Sequence, residues 1–253
     1  MERTSLFDDS ALPMHGRLIC SRCFKTGESF QQLGRWQMRR DPGAWGSVRP
    51  TYLVLGFSKG ATQSDIYTNG DFDGVAFGGE RTRRNLTNIL QKVGLLKPDE
   101  TVDEKIQATE REFHFASLVR CSLSRYDEET STYRTSGKLI IKSFSEVRHV
   151  IDECADTFLR CLPDSLKAML VLGVDNSYIK NFCRKMQDLH PVGFRRINEV
   201  AYENNRLLWV HLTHPSKGNG TLNAWLTGSP NETPGRKREL ASQLLRARGL
   251  CRI

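Results

Sequence analysis

Cysteines at four places in the chain are the residues whose type and spacing most directly suggest chemistry. Cys20 and Cys23 form a C-x2-C pair, and Cys121 and Cys154 follow much later. Two close and two distant thiolates can hold a four-iron–four-sulfur cluster or a zinc ion. Seven cysteines, an odd number, are not expected to form a disulfide framework in a cytosolic chain. We expect the other three to be ordinary buried or free thiols: Cys161, Cys183 and Cys251.

A histidine and a glycine-rich turn are the next candidates for chemistry. His214 precedes Pro215 and Ser216, and a histidine at a strand end beside a proline-fixed turn can present a polarising donor to a reacting group. Residues 56–63 read GFSKGATQ, and glycines there let backbone amides approach a phosphate or another ligand closely. The spacing does not fit a Walker loop. Taken singly, a satisfied histidine and a tight structural turn explain these features equally well.

The elements that must position these residues follow an α/β pattern. Four apolar runs are typical of buried strands in a parallel sheet covered on both faces. They span residues 51–57, 112–119, 168–174 and 207–213. Helical patterns cover residues 80–94, 144–161, 176–189 and 232–248. The alternation predicts a three-layer α/β/α sandwich with a central four-stranded parallel sheet.

Ligands of such sheets bind at the carboxyl ends of the strands. The chemistry should therefore involve residues 56–60, 117–121 and 214–218.

We expect one domain over residues 1–253. Residues 1–50 would be an N-terminal segment that carries the C-x2-C pair, and the polar stretch 122–138 would be an insertion exposed at the surface. No apolar run approaches the roughly 20 residues that cross a bilayer, and the first residues lack the pattern of a signal peptide. These features predict a cytoplasmic, monomeric protein without membrane contact.

The charge of the chain indicates its kind of partner. The formal net charge is +8, which favours polyanions, nucleic acid first. A basic protein that is merely soluble is the alternative.

Two further sequence motifs lie between those already described. Residues 77–82 read FGGERT and residues 119–121 read VRC. The order C-x2-C, glycine-rich turn, FGGERT, VRC, cysteine-bearing helix and HPS resembles the iron–sulfur uracil-DNA glycosylases of types a and b, from about Cys20 to Leu226. FGGERT is similar to the type-b string F-T-G-D-R-S, and HPS matches the second motif of the superfamily.

The resemblance implies that Cys20, Cys23, Cys121 and Cys154 hold a four-iron–four-sulfur cluster, with zinc as the alternative metal. The gap between Cys121 and Cys154 is wider than is usual in these families. Cys161 is therefore a rival for the fourth ligand.

The resemblance also implies an activity. The chain would flip a non-standard base out of DNA, deaminated or bulky and modified like phage-type cytosine, and hydrolyse its N-glycosidic bond to leave an abasic site. Repair and antiviral defence are both compatible with this reaction. Phe77 would stack on the base, Glu80 would serve the sugar or the water, and His214 would stabilise charge on the leaving base. Asp65 and Asp73 are alternative acids, and Glu80 is also what a helix N-terminus favours.

The sequence departs from the type-a pattern at the site itself. Phe57 replaces the acid of G-E-A-P-G and Lys59 replaces its proline, while Ser117 stands where an asparagine reads uracil. The loss of that amide argues against strict uracil specificity. We predict a base pocket that contains Phe57, Ser58, Phe77 and Ser117.

Contacts with DNA are predicted from the same strings. Lys59, Arg81, Arg84 and Lys217 would meet phosphates, and Leu222 would fill the stack that the base vacates. The alternative is a catalytically decayed nucleic-acid-binding member of the same fold.

Overall fold

A mixed sheet of eight strands runs through the centre of the computed structural model, which describes residues 11–70, 72, 75–76, 78–135 and 137–252. The strands are β1 Gly16–Arg17, β2 Phe30–Leu33, β3 Trp36–Arg39, β4 Gly43–Gly46, β5 Tyr52–Gly56, β6 Phe113–Ser117, β7 Ser122–Asp127, β8 Thr132–Arg134, β9 Ala168–Leu172, β10 Arg195–Arg196, β11 Ala201–Glu203 and β12 Leu208–Leu212. The helices are α1 Ala61–Thr68, α2 Glu80–Lys92, α3 Val102–Lys105, α4 Gly137–Glu146, α5 Arg148–Phe158, α6 Asn176–Leu189, α7 Leu222–Thr227 and α8 Thr233–Ala247.

The large sheet has the order β1-β4-β6-β5-β9-β12-β11-β10. Strands β6, β5, β9 and β12 pair in parallel, and each lies inside one of the predicted apolar runs. Antiparallel strands extend both sides. The prediction of a four-stranded parallel sheet is therefore too narrow, because the sheet is mixed and eight-stranded. The added strands have only two to four residues each, too few to show a periodic pattern.

A second sheet, antiparallel and of order β2-β3-β7-β8, corrects the prediction of a surface insertion for residues 122–125, whereas residues 128–132 are exposed. Residues 122–125 are buried rather than exposed in a surface insertion. Leu123 enters the core, and the polar neighbours are hydrogen-bonded: Ser122 to Asp41, and Ser124 to Gln37. The composition of this stretch is polar, but pairing of its polar groups lets the strand be buried.

The parallel strands carry apolar side chains on both faces of the large sheet. Leu53 and Leu55 of β5 enter one core with residues of α5 and α6, whereas Val54 enters a second core with residues of α2 and α8. Helices thus cover both faces, which explains why these strands are continuous apolar runs. Among the described residues, no helix combines the length and apolar character that a membrane span requires.

Candidate functional site

The carboxyl ends of the parallel strands bring the predicted motif loops to one edge of the sheet. Gly56 and Ser117, the last residues of β5 and β6, are partners in the strand register. The backbone N–H of Leu118 donates to the Gly56 carbonyl at 2.9 Å, and that of Gly173 donates to the Leu212 carbonyl at 2.7 Å. The loops that follow the four strands therefore start from one continuous hydrogen-bonded edge.

His214 stands in the loop after β12 with one ring nitrogen fixed. The backbone N–H of Ser216 donates to Nδ1 of His214 at 3.2 Å, so Nδ1 is the acceptor and Nε2 carries the proton. The residue is half-buried, and burial lowers the pKa of the imidazole to about 4. At neutral pH His214 is therefore an uncharged ring that can donate one hydrogen bond through Nε2.

Asn219 stabilises the loop between β12 and α7, residues 213–221, which we call the histidine loop. Its amide nitrogen donates to the carbonyl of His214 at 2.6 Å and to the hydroxyl of Thr213 at 2.9 Å, while its amide oxygen accepts from the N–H of Thr221. Sequence reasoning missed Asn219. The signal was present, because an asparagine between two glycines is typical of a side chain that bonds its own turn.

Asn85 connects α2 to the same loop by donating to the carbonyl of Pro215 at 2.8 Å. Glu80 is the first residue of this helix, five residues and about 7.5 Å of helix axis before Asn85. Its side chain is 84% exposed and forms an ion pair with Arg84 at 3.9 Å. The helix carrying Glu80 is thus anchored to the histidine loop, while the carboxylate itself extends into solvent. Its catalytic role stays a prediction.

The other predicted acids do not share this setting. Asp65 on α1 is exposed and paired with Arg39. Asp73 lies outside the described residues, as does Phe77, the predicted stacking residue.

Phe57 is not available to a base. Its side chain is 3% exposed, and its ring packs against Phe144 and Tyr178 in the core. The prediction that Phe57 lines the base pocket is wrong, because the side chain after β5 turns into the layer of α4 and α6. Ser58 is half-buried and donates to the Leu123 carbonyl at 3.3 Å.

Ser117 ends β6 and is half-buried at the sheet edge. Its role in reading a base stays a prediction.

Lys59 is also buried, which corrects its prediction as a DNA contact. Its ammonium donates to the carbonyl of Arg120 and lies 3.6 Å from the carboxylate of Asp41, with 3% of the side chain exposed. Burial lowers the pKa of Lys59, and the neighbouring Asp41 opposes this shift. Lys59 therefore ties the glycine-rich turn after β5 to the VRC segment instead of facing solvent.

The remaining predicted DNA contacts lie at the surface. Arg81, Arg84 and Lys217 are exposed. Leu222 begins α7 and is partly buried against the second core, so a side chain that fills a base stack would first have to leave this packing. These four assignments stay predictions.

The four predicted cysteine ligands line one cavity. Cys20, Cys23, Cys121 and Cys154 surround a space of about 10 Å³, about that of one water-sized sphere. The backbone N–H of Arg120 donates to the sulfur of Cys154 at 3.5 Å. Within the described residues, no group of three or more His, Cys, Asp or Glu side chains has the geometry of a metal site.

Cys121 and Cys154 are buried at this cavity, whereas Cys20 and Cys23 are half-buried. Burial raises the pKa of Cys23 to about 12 and that of Cys154 to about 11, and it also raises the pKa of Cys121. Without a metal these thiols are protonated at neutral pH, and metal binding would release their protons. Cys161 is exposed and does not line the cavity.

Arg120 closes the wall of the same cavity. Its side chain is 1% exposed, and its guanidinium carbon lies 4.9 Å from the centre of the Phe158 ring. Among the described residues, none of its three guanidinium nitrogens has a hydrogen-bond partner. Sequence reasoning noted Arg120 only as part of the VRC string, because burial without a partner cannot be seen in a sequence.

Comparison with known proteins leaves the activity open. The sequence matches no protein-family model and no curated protein. Solved structures do match, and one of them is wild-type SMUG2 from Pedobacter heparinus, with 11% sequence identity and a TM-score of 0.43. The alignment covers 80% of this chain and 77% of that chain. A likeness of this degree supports no conclusion on activity, substrate or cofactor.

Proposed function

We propose that this chain is a DNA glycosylase that excises a base other than plain uracil. The observation that carries the proposal is His214, a neutral imidazole at the carboxyl edge of the sheet whose Nδ1 is held by Ser216 and whose Nε2–H has no hydrogen-bond partner among the described residues. A fixed neutral donor stabilises negative charge that develops on a leaving base, without reorganisation during the reaction. The net charge of +8 favours a DNA substrate.

The proposed division of roles uses the loop that carries His214 and the helix that carries Glu80. His214 would stabilise the leaving base, and Glu80 would stabilise positive charge on the sugar or activate water. Asn85 supports this pairing because it holds the Glu80 helix against the loop after His214. In the proposed complex with DNA, Arg81, Arg84 and Lys217 contact phosphates.

The proposed specificity rests on Ser117. A serine at the end of β6 offers one hydroxyl, whereas recognition of the uracil edge by an amide uses a donor and an acceptor together. A bidentate reading of a base is typically worth about 1–3 kcal/mol. The proposed substrates are therefore deaminated bases other than uracil and bulky modified pyrimidines.

The proposed cofactor is a four-iron–four-sulfur cluster, with zinc as the alternative. The proposal is supported by the residue types, since four cysteines line one cavity and four thiolates are a donor set for either centre. Cys20 and Cys23 would bind from the N-terminal segment, Cys121 from the end of the VRC string and Cys154 from α5. A bound centre would cross-link these three parts of the chain.

The direct test is mass spectrometry of the bases released from DNAs that carry uracil, hypoxanthine, xanthine or modified cytosines. His214→Ala should cut release by about 100-fold, as is typical for removing one electrostatic or acid–base group. The control is His149→Ala, at an exposed position on α5, which should leave the rate unchanged. Faster release of uracil than of every other base would overturn the proposed specificity.

A second pair of variants tests whether Glu80 is the catalytic carboxylate. Glu80→Gln should also reduce release by about 100-fold while DNA binding is retained, and Glu129→Gln, at an exposed turn, is its control. If Glu80→Gln is fully active, the acid lies elsewhere. If no DNA releases any base although the protein binds DNA, the chain is a decayed nucleic-acid-binding member of the fold.

A further inference from the structure

Arg120 is a buried charge for which the described residues provide no hydrogen-bond acceptor and no ion-pair partner. Its side chain is 1% exposed, and its three guanidinium nitrogens have no hydrogen-bond partner among the described residues. A buried arginine ordinarily forms several hydrogen bonds or an ion pair, because the loss of water around a charge costs several kcal/mol. The nearby Phe158 ring interacts with the cation but offers no hydrogen-bond acceptor.

The surroundings of Arg120 show where a compensating negative charge can form. The residue lines the same cavity as the four cysteine thiols. Arg22, which also lines the cavity, is paired with Glu153 at 3.3 Å. The nearby ammonium of Lys59 is occupied by Asp41 and by the carbonyl of Arg120 itself. The cysteines are therefore the groups that can provide an anion for Arg120, and they do so when they bind a metal as thiolates.

We infer that Arg120 is the counter-cation of an anionic centre held by Cys20, Cys23, Cys121 and Cys154. This inference rests on the proposed cysteine-held centre and adds a role for a residue outside the ligand set. Four thiolates with Zn²⁺, or with a cluster core of charge +2, give a centre of charge −2. One buried arginine neutralises half of that charge, and it favours the anionic centre over the empty cavity.

The inference predicts effects of opposite sign with and without the metal. In the metal-loaded protein, Arg120→Met should weaken zinc retention against a chelator by about 10-fold or more, as is typical when a supporting residue of a metal site is lost. In the metal-free full chain, the same change should leave stability equal or raise it, because an unpaired buried charge has been removed. Thermal unfolding of both forms, loaded with zinc and stripped by chelator, measures the two effects.

The matched control is Arg238→Met. Arg238 is also buried, but it donates to the carbonyls of Trp225, Leu226 and Gly228. Its loss should destabilise the loaded and the stripped protein equally. Arg120→Lys, which keeps the charge, should retain zinc better than Arg120→Met.

A cluster-loaded sample provides a second measurement. If the purified protein carries iron, Arg120→Met should shift the reduction potential of its cluster to more negative values, because a nearby cation stabilises the reduced and more negative state. If the stripped chain does not fold, zinc retention and this potential still separate Arg120→Met from Arg120→Lys.

Several outcomes would overturn the inference. Equal destabilisation of loaded and stripped protein by Arg120→Met would assign Arg120 a structural role only. Stabilisation of the stripped wild type by inorganic phosphate, with no response to zinc, would make the cavity a small-anion site. A wild type that binds neither zinc nor iron would also contradict the inference. Base release is assayed separately, so a protein that shows the opposite-sign effect but releases no base overturns only the glycosylase proposal.

Discussion

Two regions of the molecule differ in how they are built: the cavity lined by Cys20, Cys23, Cys121 and Cys154, and the edge of the large sheet that carries His214. The cavity gathers buried groups from distant segments, and the charges near it, Arg120, Lys59 and Asp41, must be compensated inside the protein. The edge presents His214 as a neutral donor, held by Ser216 and, through the loop, by Asn219. Substitutions at the cavity should therefore act on metal binding and stability, whereas substitutions at the edge should act on catalysis.

The largest effect is expected from the loss of a ligand at the cavity. Cys154→Ser should abolish stoichiometric binding of iron or zinc and lower the melting temperature strongly, since binding of a structural metal contributes roughly 10–16 kcal/mol to folding. Metal content and thermal unfolding measure this effect, and visible absorption distinguishes a cluster from zinc. Cys161→Ser, at an exposed position outside the cavity, is the control. Metal loss in Cys161→Ser but not in Cys154→Ser would assign the fourth ligand to Cys161.

The next largest effect is expected at Lys59, whose ammonium links the glycine-rich turn after β5 to the VRC segment. Lys59→Met removes the cation beside buried Asp41 and should lower the free energy of unfolding by about 3–5 kcal/mol, because a carboxylate without its counter-cation then remains in the interior. Chemical denaturation measures the change, and Lys138→Met on the exposed start of α4 should change it by less than about 0.5 kcal/mol. A variant that keeps full stability and loses affinity for DNA would restore Lys59 as a DNA contact.

A smaller loss of stability is expected when the pH is lowered and His214 becomes protonated. Burial lowers the pKa of His214 to about 4 and those of His114 and His211 to about 3. Between pH 6.5 and 4 the unfolded chain therefore binds more protons than the folded chain, and the free energy of unfolding falls as the pH falls through this window. For His214 alone the loss is at most about 3 kcal/mol.

Chemical denaturation at a series of pH values tests this dependence. His214→Asn should reduce the acid sensitivity relative to the wild type. A slope that does not change in His214→Asn would mean that the imidazole is more accessible to water than its surroundings indicate.

The smallest effect is expected at Lys217, an exposed residue of the loop after β12. Lys217→Met should reduce the slope of log K against log salt concentration for duplex DNA by about 0.9, the contribution of one phosphate contact, without a change in stability. Fluorescence anisotropy at several salt concentrations measures the slope, and Lys138→Met is the control. A slope equal to that of the wild type would remove Lys217 from the DNA-binding surface.

Much of the fold could be predicted because it is encoded locally. The apolar runs correctly located β5, β6, β9 and β12, since a strand buried on both faces needs an apolar side chain at nearly every position. Helices α2, α5 and α6 were visible from their amphipathic periodicity. The short edge strands and the second sheet were missed, because their pairing joins segments such as β3 and β7 that lie far apart in the sequence.

The same distinction, between features encoded locally and features set by long-range packing, applies to the candidate site. Residue type and order along the chain were enough to select His214, the four cysteines and the strand-end loops, because these signals are local or depend on spacing. The direction in which a side chain points was decided by the tertiary structure. Phe57 and Lys59 belong to the turn that the sequence marked correctly, yet Phe57 enters the core and Lys59 turns inward to Asp41.

The sequence by itself determined the four central strands and several of the helices, and it selected the residues that we predict to bind a metal or to donate to a base. Only the tertiary structure decided that Asn85 reaches the histidine loop and that Cys154 rather than Cys161 faces the other cysteines. It also decided that Arg120 is buried with no hydrogen-bond partner among the described residues. The physical reason is that the preferences of a segment depend on its own residues. Burial and pairing of charge depend instead on groups that long-range packing brings together.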